Sequence, residues 1–103
     1  MIDLNNLQKE IYKNKVAKKF NVKDINLEFC YLHGELAEAH KAFRNKLPDL
    51  GEELADVIIY LLGLAEILGI DLEKEIINKV SKNQKREYKW IDGKLIRTKE
   101  VGK

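Results

Sequence analysis

From Glu53 to Leu68 the chain reads ELADVIIYLLGLAEIL, and apolar side chains fall on every side of the helix this stretch would form. A helix that is apolar all round is buried all round. In a chain of 103 residues, the size of one ordinary domain, such a helix must be central or must share a subunit interface. Its first turns nevertheless carry Glu53 and Asp56. Three residues apart, they share a face, which Tyr60 and Gly63 continue. Carboxylates on so apolar a helix are unfavourable if dry and unpaired. Solvent at the helix end, a basic partner or a metal must compensate them.

The preceding helix offers a matching set. Glu35 and Glu38 are also three apart, and Glu28 lies two turns before Glu35 on nearly the same line. Asn45-Lys-Leu-Pro-Asp49 is a short connection, which predicts antiparallel packing of the two helices. That packing would bring Glu35 and Glu38 opposite Glu53 and Asp56. Four such carboxylates repel: one unit-charge pair at about 4 Å costs on the order of 4 kcal/mol at an effective dielectric of 20. Oxygen-only ligands select hard cations such as Mg²⁺ or Mn²⁺. ExxE alone is common on helices, and Glu52 and Glu53 would also suit a helix N-terminus without any metal. The pairing of ExxE and ExxD across 14 residues is what points to a cation.

Periodicity predicts an all-α fold, a four-helix bundle, in a single domain spanning 1–103. The helices are expected at about 4–20, 24–44, 50–68 and 72–88, with a tail over 89–103. Leu7, Ile11, Val16 and Phe20 form a loose apolar face on the first helix; Phe29, Leu32, Leu36, Ala39 and Phe43 form one on the second. Asp24 and Asp71 are expected N-caps, Asp49 with Glu52 reads as a capping arrangement, and Gly69 suits a left-handed C-cap. In the tail, Asp92-Gly93 between apolar residues signals a short β-hairpin, under which Trp90 is expected to pack.

Composition narrows the functional classes. The net charge of +2 argues against nucleic acid as a partner. No apolar stretch approaches the ~20 residues of a membrane span, and the N-terminus lacks a signal-peptide pattern. Cys30 is the lone cysteine, so no internal disulfide forms; a cytoplasmic setting fits. Cys30 is expected in the core or an interface, His33 and His40 on the surface. Phe20 or Tyr12 is a candidate to stack on a base.

Gly34–Ala39 (GELAEA) followed by Gly51–Leu72 (GEELADVIIYLLGLAEILGIDL) resembles the MazG-like all-α nucleoside triphosphate pyrophosphatases. Lys79–Tyr88 (KVSKNQKREY) is similar to that family's K-x3-N-x2-R element. The resemblance covers about residues 24–88. It implies a helical homodimer or homotetramer that cleaves a nucleoside triphosphate between the α and β phosphates, giving the monophosphate and pyrophosphate, with Mg²⁺ as cofactor. Glu53, Asp56 and Glu35 match the family's metal ligands. Lys79, Asn83 and Arg86 match its phosphate- and sugar-side element; by spacing alone they equally describe a solvated basic helix end.

One position departs from the family pattern. Leu32 stands where the family's first metal-binding glutamate is expected, and Tyr31 precedes it. Glu38 restores an ExxE one turn later, so it is both a fourth candidate ligand and the candidate catalytic carboxylate. Glu28 is the other residue able to substitute in part. A weakly catalytic nucleotide-binding or regulatory oligomer is the alternative reading.

Overall fold

The computed structural model describes residues 1–99 and has four helices and a C-terminal hairpin. The helices are α1 (Leu4–Ala17), α2 (Ile25–Arg44), α3 (Leu50–Ile67) and α4 (Leu72–Lys85); strands β1 (Glu87–Ile91) and β2 (Lys94–Lys99) follow. The chain divides into a compact unit of Met1–Leu72 and a second beginning at Glu73.

In the first unit α3 packs against both α1 and α2. Asp3 and Asp24 cap α1 and α2, their side chains accepting from the backbone N–H of Asn6 and Leu27 at 3.1 Å each. Asp49 does not cap α3. Its backbone, at φ −94° and ψ 15°, lies outside the extended region from which a capping side chain reaches the following N–H groups. All three helices end in the same reverse closure, with six-residue bonds Phe20 N to Lys15 O, Leu47 N to Ala42 O and Ile70 N to Ala65 O, each 2.9 Å. The left-handed residue in each is Lys19, Lys46 or Gly69. α1 therefore stops at Ala17 rather than Phe20, because Lys19 turns the chain back with φ 61°.

The fully apolar core is small: Ala39, Ala42, Leu62, Leu64 and Ala65 among the described residues. Gly63 permits close approach of α1, since a Cβ there would meet Lys15 Cδ at 3.2 Å and Ile11 Cγ2 at 3.3 Å. The buried residues of α1 are not its expected apolar face but Gln8 and Lys15. Gln8 Nε2 donates to Glu66 Oε1 (3.0 Å) and to the Ile70 carbonyl (2.8 Å). Lys15 Nζ donates to Glu28 Oε1, and Asn21 Nδ2 donates to Glu28 Oε2 at 3.1 Å. The Lys15 ammonium also lies 5.1 Å from the Tyr60 ring centroid. A buried ion pair thus ties α1 to α2 beneath a ring of α3.

The expected apolar stripe of α2 is only partly covered among the described residues, Ala39 being buried. Leu36 is 57 % exposed and Phe43 66 %. On α3 burial is confined to Leu62–Ala65, while Leu54, Ile58 and Ile59 are exposed. Five buried apolar residues cannot cover both faces of three helices.

In the second unit no residue of α4 is buried. Helix 4 ends at Lys85, short of Tyr88, because β1 begins at Glu87. The hairpin pairs Ile91 with Lys94 and Trp90 with Leu95. Asp92 (φ 51°) and Gly93 (φ 75°) are both left-handed, the two-residue turn that matches strand twist. Trp90 is 73 % exposed rather than packed under the hairpin. No helix of the described residues is long and apolar enough to cross a membrane.

Removing one partner of a buried pair strands the other charge. Glu28→Ala is expected to destabilise the chain by about 3–5 kcal/mol, and Lys15→Met with Glu28→Leu to recover most of that loss. Urea unfolding of the three proteins checks it; equal losses in the single and double variants would show that the pair is not the link between α1 and α2.

Candidate metal centre

Helix α2 carries Glu35 and α3 carries Glu53 and Asp56. One carboxylate oxygen from each lies within 4.8 Å of the other two. The convergence follows from antiparallel register. Glu35 meets Asp56, and one turn back along α2 Tyr31 meets Tyr60 one turn forward along α3, ring centroids 6.2 Å apart and edge to face. Glu35 and Glu53 are partly buried and Asp56 is exposed, so the cluster opens to solvent through Asp56.

The carboxyls of the cluster act on one another. Desolvation, then Asp56 and Glu38, push the Glu35 carboxyl above its ordinary range. Glu53 is raised by desolvation and then by Asp49, Asp56, Glu38 and Glu35. Tyr60 is raised by burial, then by Glu35, Glu28, Tyr31 and Asp56, which keeps its hydroxyl protonated and able to donate. The charges that raise Glu35 and Glu53 are all neighbouring acids. Lys15 is paired with Glu28. Three converging carboxylate oxygens fit a hard divalent cation.

Glu38 lies outside the converging trio but acts on Glu35 and Glu53 through its charge. Glu28 does not replace the glutamate missing at Leu32: it is 2 % exposed and both of its oxygens are taken. Lys79 and Asn83 lie on α4 and Arg86 just beyond it; Arg86 Nη1 donates to Asn83 Oδ1 at 2.9 Å. His33 and His40 are exposed, as is Cys30, which is therefore not a core residue.

Beside the acidic cluster is a cavity of about 280 Å³ lined by Lys15, Phe20, Asn21, Glu28, Tyr31 and Tyr60. Phe20 was legible as an aromatic at the end of the first helix; the buried pair at the cavity floor was not. Only the alignment of Glu28 with Glu35 hinted at it.

An all-α chain whose consecutive helices converge carboxylates on a cation-ready centre defines a class of helical, acid-cluster proteins. Within that class the match is specific: the MazG-like family model covers residues 18–99, and the chain belongs to the MazG-like family. No curated protein and no solved structure shows significant similarity to it.

The raised carboxyls fix a sign. Their folded-state pKa values exceed the unfolded ones, so they favour the fold when protonated, and that contribution is lost as pH rises through the raised values. Glu35→Gln is therefore expected to raise the melting temperature of metal-free protein at neutral pH. The gain should fade on acidification towards the ordinary carboxylate range near pH ~4. Thermal melts in chelator across pH check it; a gain that persisted in acid would mean the charge of Glu35 is not its source.

Proposed function

We propose that the protein is a Mg²⁺-dependent nucleoside triphosphate pyrophosphohydrolase, cleaving between the α and β phosphates. The observation that carries this reading is the convergence of Glu35, Glu53 and Asp56 in a chain of the MazG-like family. Mg²⁺ held there, with Mn²⁺ as a substitute, would neutralise phosphate charge and lower the pKa of a bound water.

The chain's own residues supply the rest. Glu38, exposed and within electrostatic reach of the trio, is the carboxylate we assign to orient the attacking water and take its proton. Water adds to the α-phosphorus, the bond to the bridging oxygen breaks, and pyrophosphate leaves. Lys79, Asn83 and Arg86 are assigned to phosphates and sugar, the guanidinium being able to hold two oxygens at once. The cavity floored by Lys15 and Glu28 takes the nucleoside.

A homodimer or homotetramer is part of this reading. Leu36, Ala39, His40, Phe43, Leu50 and Leu54 line an almost wholly apolar groove of about 350 Å³ on α2 and α3. Exposed apolar surface of that kind marks an interaction face, and a second copy would cover the stripes that one chain leaves open. A cytoplasmic location suits the exposed lone thiol of Cys30. Leu32 favours one alternative, a protein that binds nucleotide but turns it over weakly, because among the described residues no fourth carboxylate joins the trio.

Mg²⁺-dependent release of pyrophosphate from a panel of triphosphates tests the activity. Asp56→Ala should abolish both that release and the rise in melting temperature on adding Mg²⁺, which for a site of dissociation constant Kd follows RT ln(1+[L]/Kd). Turnover that survives the substitution refutes the metal assignment. Leu32→Glu is expected to raise turnover; binding without turnover in both proteins would support the alternative.

The assembly has its own test. Leu54→Glu is expected to shift the chain from oligomer to monomer in light scattering. A monomeric wild type would remove the assembly from this reading.

A further inference from the structure

The cavity beside the acidic cluster contains a charge that folding alone does not fully occupy. Within it, Glu28 Oε1 accepts from Lys15 and Oε2 from Asn21. Asn21 is itself committed: Nδ2 donates to the Asp24 carbonyl as well, and Oδ1 accepts from the backbone N–H of Lys23 and Asp24. The Lys15 ammonium has three N–H donors and uses one, on Glu28. Its side chain is also the more exposed of the pair, 10 % against 2 %. A ligand entering the cavity therefore meets the lysine rather than the carboxylate. The walls are aromatic: Phe20, Tyr31 and Tyr60.

The order of groups along the helices gives the cavity a direction. Glu35 marks the metal end; Tyr31 and Glu28 follow one and two turns back along α2, so the pair lies about 10 Å from the cluster at the rise of an α-helix. With phosphates at the cluster and the sugar beside Tyr31 and Tyr60, the edge of the base farthest from the sugar faces Lys15. Ammonium only donates. An edge carrying a keto oxygen satisfies it. One carrying an amino group sets donor against donor and leaves a buried charge short of a partner.

We infer that Lys15 is the specificity-determining residue of this site and selects nucleotides with a keto group at the distal edge of the base, such as uracil or guanine, over the amino bases cytosine and adenine. Glu28 and Asn21 act through it, holding the ammonium at the cavity floor. The inference rests on the function proposed above and adds to it the chemical class of the base.

Calorimetry with Mg²⁺ and non-hydrolysable triphosphates of uracil, cytosine, guanine and adenine tests it. The wild type is compared with Lys15→Met/Glu28→Leu, a neutral pair chosen because it leaves no stranded charge. The wild type should bind each keto member at least about tenfold more tightly than its amino counterpart, as expected when a site built around a donor meets the wrong edge. The double variant should lose that discrimination while keeping its Mg²⁺-dependent rise in melting temperature. Lys15→Arg, which keeps the charge and its donors, should retain the preference for keto bases. Equal binding of all four bases by the wild type, or a preference unchanged in the folded double variant, overturns the role of Lys15 and leaves the pyrophosphohydrolase reading standing. Failure of the wild type to bind any of the four overturns both.

Discussion

The buried pair of Lys15 and Glu28 is the interaction on which the rest of this molecule depends. It joins α1 to α2 and sets the lysine under the Tyr60 ring of α3, so all three helices of the first unit meet at one charge. Burying two ions is expensive, and their attraction offsets the desolvation only when the remaining donors and acceptors are also met. Asn21 meets one of them, from the turn that links the two helices. With Lys15 paired to Glu28, the acids of the cluster act on one another, and Glu35 and Glu53 are raised by their acidic neighbours.

That division of labour explains how so few apolar residues hold the unit together. Five buried apolar side chains, three of them small or short, form the core. The contacts that fix α1 are largely polar: Gln8 reaches Glu66 and the Ile70 carbonyl at one end, Lys15 reaches Glu28 at the other, and Gly63 lets the helices close between them. Polar contacts of this kind specify register more than they add stability. The apolar residues that would ordinarily add it, such as Leu36, Phe43, Leu54 and Ile58, remain on the surface.

What could be read from the sequence follows from which forces are periodic. Helix faces repeat every three or four residues, so Glu53 with Asp56 and Glu35 on a facing helix were visible, and a short connection sufficed to bring them together. The Asp92-Gly93 turn was equally visible, because few residues accept two positive φ angles in succession. Polar burial has no period. Nothing in the pattern of α1 marks Gln8 and Lys15 as its inward side, when Leu7, Ile11, Val16 and Phe20 suggest a different one. The left-handed lysines, Lys19 and Lys46, were hidden for a related reason: glycine announces such a position and lysine does not. The apolar stripe of α2 was expected to face the core, but only Ala39 is buried while Phe29, Leu36 and Phe43 are exposed, because a pattern marks an apolar face without saying what covers it.

The departure at Leu32 is best understood together with Tyr31. Leu32 stands where the resemblance leads one to expect a glutamate, and its neighbour Tyr31 is an aromatic that packs edge to face on Tyr60 and walls the cavity. Three carboxylates carry three negative charges, so one divalent cation leaves a single excess charge, whereas a fourth carboxylate would leave two and favour a second ion. An apolar Leu32 in place of an acid would therefore lower the charge a metal at the proposed centre has to neutralise, while Tyr31 adds aromatic wall to the cavity. Under the function proposed here, such a chain would hold its substrate more by the base than by gathering cations around the phosphates.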